Sequence, residues 1–200
     1  MQILRQLIRE QLDPRHDRSG AAIAFFSPFD GYVVFIAYDI QSLNSALFGD
    51  IEAPTVYSTL YLYSTPSENC NGAFEVSSAN SSVQRMGWGT DVRLAALGTL
   101  KHIMPDRHSV TPASSAVWQS LIDKEMIVGE PLPNVCLGDE FEGIRGHAEE
   151  KLNMSYRLTK PLPAHVIDML ARGKAHREQI EKSDLLELAQ DLLTGRHLHA

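Results

Sequence analysis

The chain lacks the features that mark several large classes of protein. Its 200 residues include only two cysteines, Cys70 and Cys136, and their spacing fits no metal-binding motif. Two thiols, together with an N-terminus unlike a secretory leader, predict a protein of the reducing cytoplasm. No apolar run approaches the length that spans a bilayer, so the sequence predicts no membrane association.

Positive charge is scarce as well. Lysine and arginine together number 18 against 25 aspartates and glutamates, which gives a net charge of −7. This balance disfavours nucleic acid as a partner and favours an amine-bearing one, because opposite charges attract. The histidines form no H-E-x-x-H pair, so no metal site is predicted, and the lack of a G-x-S-x-G turn argues against hydrolases built on that motif.

The first part of the chain is rich in strand-like segments. A helix is predicted over residues 2–12, and the segment 41–54 is interpreted as a short helix and a loop. Tyr57, Tyr61 and Tyr63 share parity, so a regular strand would place them on one face, packed on a helix or with one of them lining an acceptor pocket. The predicted strands are "AAIAFFSPF", "YVVFIAYDI", "TVYSTLYLYST" and "AFEVSSANS".

After residue 83 the apolar spacing becomes that of helices. A stripe over 92–103 predicts a helix that Pro105 ends, and a second helix is predicted over about 113–125. Two strands are then predicted, one at the start of "IVGEPLPNVCLGDEFEGIRG" and one in "NMSYRLTKPL". Two more helices are predicted over 163–193, separated near Ser183.

Gly87 and Gly89 stand one residue apart where the first of these helices begins. The free N–H groups of a helix N-terminus bind phosphate, and glycine lets the phosphate approach the backbone closely. The turn is not a Walker A loop, because no Lys-Ser or Lys-Thr follows it, and Val92 occupies the third glycine position of a Rossmann fingerprint. The alternative interpretation is structural: the glycines shape a tight connection and Trp88 packs beside it.

Two motifs resemble those of one enzyme family. The hexapeptide from Gln84 to Gly89, "QRMGWG", resembles the coenzyme A pyrophosphate loop Q/R-x-x-G-x-G/A of the GNAT superfamily of N-acetyltransferases. Downstream, "TPASSAVW" is similar in spacing to the N-x-x-A-x-x-L-Y motif on the helix after the fifth strand of that family. Its matching positions are Thr111, Ser114, Val117 and Trp118, so a tryptophan replaces the tyrosine that faces the thiol of coenzyme A. The resemblance covers residues 55–125.

The resemblance implies a fold and a reaction. The fold is α/β (α+β): a mixed, mostly antiparallel central sheet flanked by helices, splayed beside the "AFEVSSANS" strand. A GNAT-like acyltransferase domain would span 1–160 and a C-terminal helical extension 161–200. The reaction would transfer an acetyl group from acetyl-CoA to an amine on a small molecule or a protein lysine. Two alternatives stay open: a catalytically inactive GNAT-like interaction protein, and an α+β structural or regulatory protein. Homodimer formation also stays open.

The resemblance further implies roles for single residues. Glu75, on the strand before the loop, would be the general base, the alternative being a solvated strand glutamate. Ser120 is a candidate acid for the leaving thiolate, with Ser115, water or unassisted departure as alternatives. Val76 or Ser77 would donate an N–H to the oxyanion. The residues predicted to bind the co-substrate are Val76, Ser77, Ser78, Gln84, Arg85, Met86, Gly87, Trp88, Gly89, Thr90 and Trp118.

Overall fold

The computed structural model describes residues 18–27, 30–51, 53–65, 70, 72–82, 86–106, 111–132 and 154–181. These residues form a mixed α/β fold with one curled, seven-stranded sheet and five helices. The predicted helix over 2–12, the predicted helix boundary at Ser183, and the loop residues Gln84 and Arg85 lie outside the described residues.

The described strands and helices follow the predicted order with two differences. The helix predicted to reach Ile103 ends at Leu100, and a strand that the sequence does not predict, Ile103–Met104, follows it. The helical segment after residue 163 is interrupted between Ala175 and Arg177, before the predicted boundary at Ser183. The strands are β1 (Ala21–Phe26), β2 (Tyr32–Asp39), β3 (Val56–Ser64), β4 (Phe74–Ser81), β5 (Ile103–Met104), β6 (Ile127–Pro131) and β7 (Met154–Leu158). The helices are α1 (Ile40–Leu47), α2 (Trp88–Leu100), α3 (Pro112–Asp123), α4 (Ala164–Ala175) and α5 (Arg177–Glu181).

The sheet is antiparallel except at its centre. Its strand order is β1-β2-β3-β4-β5-β7-β6, and the β4–β5 pair is parallel. The predicted mixed, mostly antiparallel sheet is therefore confirmed. The "NMSYRLTKPL" strand, β7, lies between β5 and β6, so β6 is the edge strand at this end and β1 at the other.

Helices cover both faces of the sheet. On one face α2, α3 and α4 enclose the larger core cluster, in which Val92, Ala95 and Ala96 are fully buried. The small alanine side chains let α2 pack close to the strands beneath it. On the opposite face Leu43 of α1 and Ile180 of α5 pack against β1, β2 and β3. The predicted helical stripe of α2 is thus confirmed as a core-facing surface.

A β-bulge at Tyr57 interrupts the alternation of side chains that would place Tyr57, Tyr61 and Tyr63 on one face of the sheet. The register between β2 and β3 shifts at Tyr57, since Ala37 lies opposite Ser58 while Tyr38 lies opposite Val56. The extra residue reverses the alternation of side chains. Tyr57 therefore packs on the α2 side of the sheet and Tyr61 on the other. The prediction of one shared face is wrong, whereas packing of Tyr57 against a helix is confirmed.

Helix α4 is anchored to the edge strand β1 by close backbone contact. Arg172 donates hydrogen bonds to the carbonyl oxygens of Ala21 at 2.7 Å and Arg18 at 2.7 Å. Gly173 lies so close to β1 that a Cβ there would be 1.9 Å from the carbonyl oxygen of Ile23. The described part of the 161–200 segment therefore packs into the same core as the sheet. Among the described helices, none combines the length and hydropathy of a membrane-spanning segment.

Candidate functional site

The pairing of the central strand β4 stops partway along its length on one side. Strand β3 pairs with β4 as far as Ser81, whereas β5 pairs only with Phe74 and Glu75. Pro105 follows β5 and has no N–H to continue the ladder. Residues Val76–Ser81, here called the open edge, are thus paired by β3 alone among the described strands.

The composition of the open edge suits a cleft better than a core. Ser77, Ala79 and Asn80 are exposed, although β4 is the fourth strand in a sheet of seven. A central strand packed on both sides would carry large apolar side chains. Ser77 is also the extra residue of a second bulge, since Leu62 lies opposite Val76 while Tyr61 lies opposite Ser78. Bulges turn backbone groups out of the ladder, and they occur often beside active sites.

The open edge ends at the N-terminus of α2. Residues Met86–Thr90, here called the glycine corner, form this N-terminus, with Gly87 as the N-cap. Gly87 has φ 79°, a conformation that favours glycine, and no described side chain caps the first turn. Ser81 Oγ lies 3.3 Å from the position of a Cβ on Gly89, so strand and helix touch here. Free N–H groups of α2 therefore lie beside the end of the open edge.

An arginine from outside the motif occupies part of the glycine corner. Arg18 donates to the carbonyl oxygen of Met86 at 2.6 Å and pairs with Asp91 at 2.8 Å. Its guanidinium carbon lies 3.6 Å from the ring centroid of Trp88, which stacks on Tyr57. Arg18 Nη2 is 3.3 Å from the position of a Cβ on Gly87. The structural interpretation of the turn is thereby supported, since both glycines allow close contacts within the protein. Phosphate binding there stays a prediction.

A second arginine, Arg93, links α2 to α3. Its Nη1 donates to the carbonyl oxygen of Gly89 at 3.0 Å and its Nη2 to Ser114 Oγ at 2.9 Å. Arg93 is only 3% exposed, and this burial lowers the pKa of its guanidinium to about 10. The group stays charged at neutral pH. The N-terminal turns of both helices are therefore held together by a buried cation.

Helix α3 contributes Trp118 to a buried aromatic pair. Trp118 is 4% exposed and stacks on Tyr156 of β7, with ring centroids 4.9 Å apart. Burial raises the pKa of the Tyr156 phenol. Ser120 lies two residues beyond Trp118, which places it about 200° around the helix, away from Arg93 and the glycine corner. The structure thus does not bring Ser120 to the other predicted site residues.

Glu75 occupies the closed end of the open edge. It is 0% exposed, so its interpretation as a solvated strand glutamate is wrong. It lies opposite Met104 on β5, and Met104 packs in a small cluster with Cys70, Ala73 and Leu132. Glu75 is thus a buried carboxylate beside an apolar cluster, next to Val76, where the open edge begins. Its role as a general base stays a prediction.

Cys70 is not the thiol that the sequence analysis expects. It is 1% exposed and disulfide-bonded, so the two thiols do not support the inference of a reducing compartment. Cys136, the other cysteine, lies outside the described residues. Within the described part of the chain, no group of three or more histidine, cysteine, aspartate or glutamate side chains is arranged to hold a metal ion.

The sequence predicts part of this arrangement, but it does not predict three of its residues. Val76, Ser77 and Ser78 lie on β4, whose last residue, Ser81, touches Gly89 of the glycine corner. It adds Arg18, Arg93 and Tyr156, which no motif indicated. Only Arg93 had a signal in the sequence, since it follows Gly89 at the i+4 spacing that places two residues on one helix face.

No protein-family model matches the chain, and no curated protein matches it. The fold and the site together define a mixed α/β protein. Its central strand β4 is paired along its length by β3 and only at its start by β5. The strand ends beside the N-terminus of the buried helix α2, where Gly87 and Gly89 lie.

Proposed function

We propose that the chain is a GNAT-like acyl-CoA N-acyltransferase that transfers an acetyl group from acetyl-CoA to an amine by direct attack. The observation that carries the proposal is the open edge of β4, unpaired by β5 and running to an uncapped helix N-terminus. An extended ligand with amide groups at one end and a diphosphate at the other fits both parts. Acetyl-CoA has this chemistry.

The pantetheine arm would bind the open edge as an added strand does. Its amide groups can exchange hydrogen bonds with backbone groups of Val76, Ser77 and Ser78, which have no second strand partner among the described residues. The small side chains of this stretch leave space beside the backbone. The diphosphate would then lie at the glycine corner, where free N–H groups and the helix dipole stabilise negative charge.

The chemistry requires a neutral amine and a stabilised oxyanion. Glu75 would accept the proton of the attacking amine, directly or through water, while the amine nitrogen bonds to the thioester carbonyl carbon. The oxyanion would accept a hydrogen bond from the backbone of Ser77, which the bulge turns out of the ladder. The carbon–sulfur bond then breaks and coenzyme A leaves as a thiolate. The acceptor is an amine on a small molecule or a protein lysine.

A catalytically inactive binding protein of the same fold is the second candidate. The observation that favours it is on α3, where Trp118 is buried against Tyr156 and Ser120 points away from the site. Trp118 and Ser120 of α3 would therefore supply no acid to the departing thiolate. Such a protein would bind coenzyme A, or no coenzyme, and act through protein contacts.

Thermal melting with and without acetyl-CoA tests the proposal. At about a hundredfold excess over its dissociation constant the ligand should add about 2.7 kcal/mol of stability, which raises the melting temperature by several degrees. Release of free thiol with a panel of amines then separates the enzyme from the inactive binder. No melting shift with acetyl-, propionyl- or free coenzyme A would contradict both forms of the proposal that bind coenzyme A.

A further inference from the structure

Helix α4 contacts two parts of the chain that meet at the glycine corner. Its Arg172 donates to the backbone carbonyl of Arg18 at 2.7 Å, and Nε2 of its His165 lies 3.0 Å from Oδ1 of Asp91. Asp91 is the first residue of α2 after the glycine corner. An ionised carboxylate only accepts hydrogen bonds, so Nε2 of His165 carries a proton and donates it. Helix α4 is thereby connected to the start of α2.

The Asp91 carboxylate has a different partner for each of its oxygen atoms. Oδ2 accepts from Arg18 Nε at 2.8 Å, and Oδ1 accepts from His165. Asp91 and Arg18 are buried, whereas the His165 side chain is 43% exposed. A buried carboxylate that loses a donor keeps the cost of its burial without the compensating hydrogen bond. The position of this buried carboxylate therefore depends on a half-exposed histidine.

Arg18 transmits that position to the backbone of the glycine corner. Its Nη2 donates to the carbonyl oxygen of Met86 at 2.6 Å while its Nε is held by Asp91, so the guanidinium spans the turn at Gly87. Glycine restricts its own backbone least of all residues, so contacts from other residues must fix this turn. Four residues in contact, His165, Asp91, Arg18 and Met86, supply such contacts from α4 to the turn.

We propose that His165 is a positioning residue of the proposed acyl-CoA site, which holds the glycine corner in its ligand-binding conformation through Asp91 and Arg18. The inference rests on the proposed function. It adds that α4, which lies outside the region that resembles GNAT enzymes, contributes to the affinity for acyl-CoA. His165 acts on the free protein: it restricts the turn before the ligand binds, which reduces the conformational entropy that binding must remove.

Three substitutions in and beside α4 test this role. His165→Leu removes the donor to Asp91, whereas His165→Gln keeps an N–H close to the position of Nε2. His176→Leu is the matched control, because it removes a histidine at the other end of the helix. There Nδ1 of His176 contacts the carbonyl oxygen of Arg172 at 2.8 Å.

Backbone amide exchange in the ligand-free proteins is the first measurement. The amides of Thr90 and Asp91 report on the turn, since both donate to the carbonyl oxygen of Gly87 at 3.0 Å. His165→Leu should speed their exchange about fivefold or more and leave exchange in β2 and β3 unchanged, because only the turn opens more often. His165→Gln and His176→Leu should exchange as the wild type does. Faster exchange throughout the sheet, which a merely structural role would give, overturns the inference.

Binding of acetyl-CoA is the second measurement. His165→Leu should weaken it about fivefold and raise KM for acetyl-CoA with kcat unchanged, and His165→Gln should keep the wild-type values. Equal exchange at Thr90 and Asp91 in wild type and His165→Leu, or equal affinity for acetyl-CoA, overturns the inference and leaves the proposed function in place.

Two further outcomes separate the inference from the proposed function and from a general effect on folding. Faster exchange in His165→Leu, together with a wild type that does not bind acetyl-CoA, would support the positioning of the turn and contradict the acyltransferase. Failure of both His165→Leu and His165→Ala to fold would overturn the inference, because the histidine would then hold the whole fold together.

Discussion

Replacing Glu75 by glutamine is expected to slow acetyl transfer by roughly a hundredfold or more. Glutamine has nearly the same shape but cannot accept the proton of the attacking amine. The melting shift with acetyl-CoA should stay intact, because Glu75 lies at the closed end of the open edge and outside the glycine corner. Thiol release under saturating substrates measures the first effect, and thermal melting measures the second.

Glu130→Gln is the matched control for this experiment. Glu130 lies on the edge strand β6 and pairs with Arg157 through an exposed contact, so its replacement should leave turnover within about twofold of the wild type. Turnover of Glu75→Gln equal to that of the control would remove Glu75 from the mechanism. Loss of the acetyl-CoA melting shift in Glu75→Gln would instead assign it a role in binding or folding.

Replacing Gly173 by alanine should destabilise the fold by about 3 kcal/mol, which lowers the melting temperature by roughly 6–12 °C. The added Cβ would lie 1.9 Å from the carbonyl oxygen of Ile23 and 2.5 Å from its carbonyl carbon. Both atoms are backbone, so α4 or β1 must move. This cost exceeds the gain of about 1 kcal/mol that alanine brings to a helix. Chemical or thermal unfolding of the variant measures it.

Gly98→Ala provides the matched control, since Gly98 also lies inside a helix and its Cβ would also be close to a neighbour. That neighbour is the end of the Leu162 side chain, at 2.5 Å, which can change rotamer. We expect a loss within about 1 kcal/mol. Equal losses in the two variants would contradict the close backbone packing of α4 on β1. The packing matters for the site because α4 also contacts Arg18 through Arg172 and Asp91 through His165.

The helices and strands that depend on the spacing of nearby residues could be predicted from the sequence. Helix α2 has an apolar stripe at helical spacing, and its packing into the core beside the sheet follows from that stripe. The hairpin of β1 and β2 follows from two continuous apolar runs on either side of the turn signal Asp30-Gly31. The polar end of β4, "SSANS", was also a local signal, because small polar residues in a central strand indicate an opening in the sheet.

The features that depend on contacts between distant residues could not be predicted. Arg18 and Asp91 are 73 positions apart, and nothing in the segment around Arg18 indicates that its side chain reaches the glycine corner. The bulge at Tyr57 inserts one residue relative to the β2 register. Strict alternation along the strand therefore assigns Tyr57 to the wrong face of the sheet. The burial of Trp118 depends on Tyr156, which comes from a strand that inserts between β5 and β6.

Hydrogen exchange on the wild-type protein shows whether acetyl-CoA binds along the open edge and at the glycine corner. Acetyl-CoA is expected to slow backbone amide exchange in the open edge, residues 76–81, and in the glycine corner, residues 86–90, because the ligand would bond to both. Free coenzyme A should protect the corner in the same way. Exchange that is unchanged in both stretches at saturating acetyl-CoA, or slowed only elsewhere in the chain, would contradict the account.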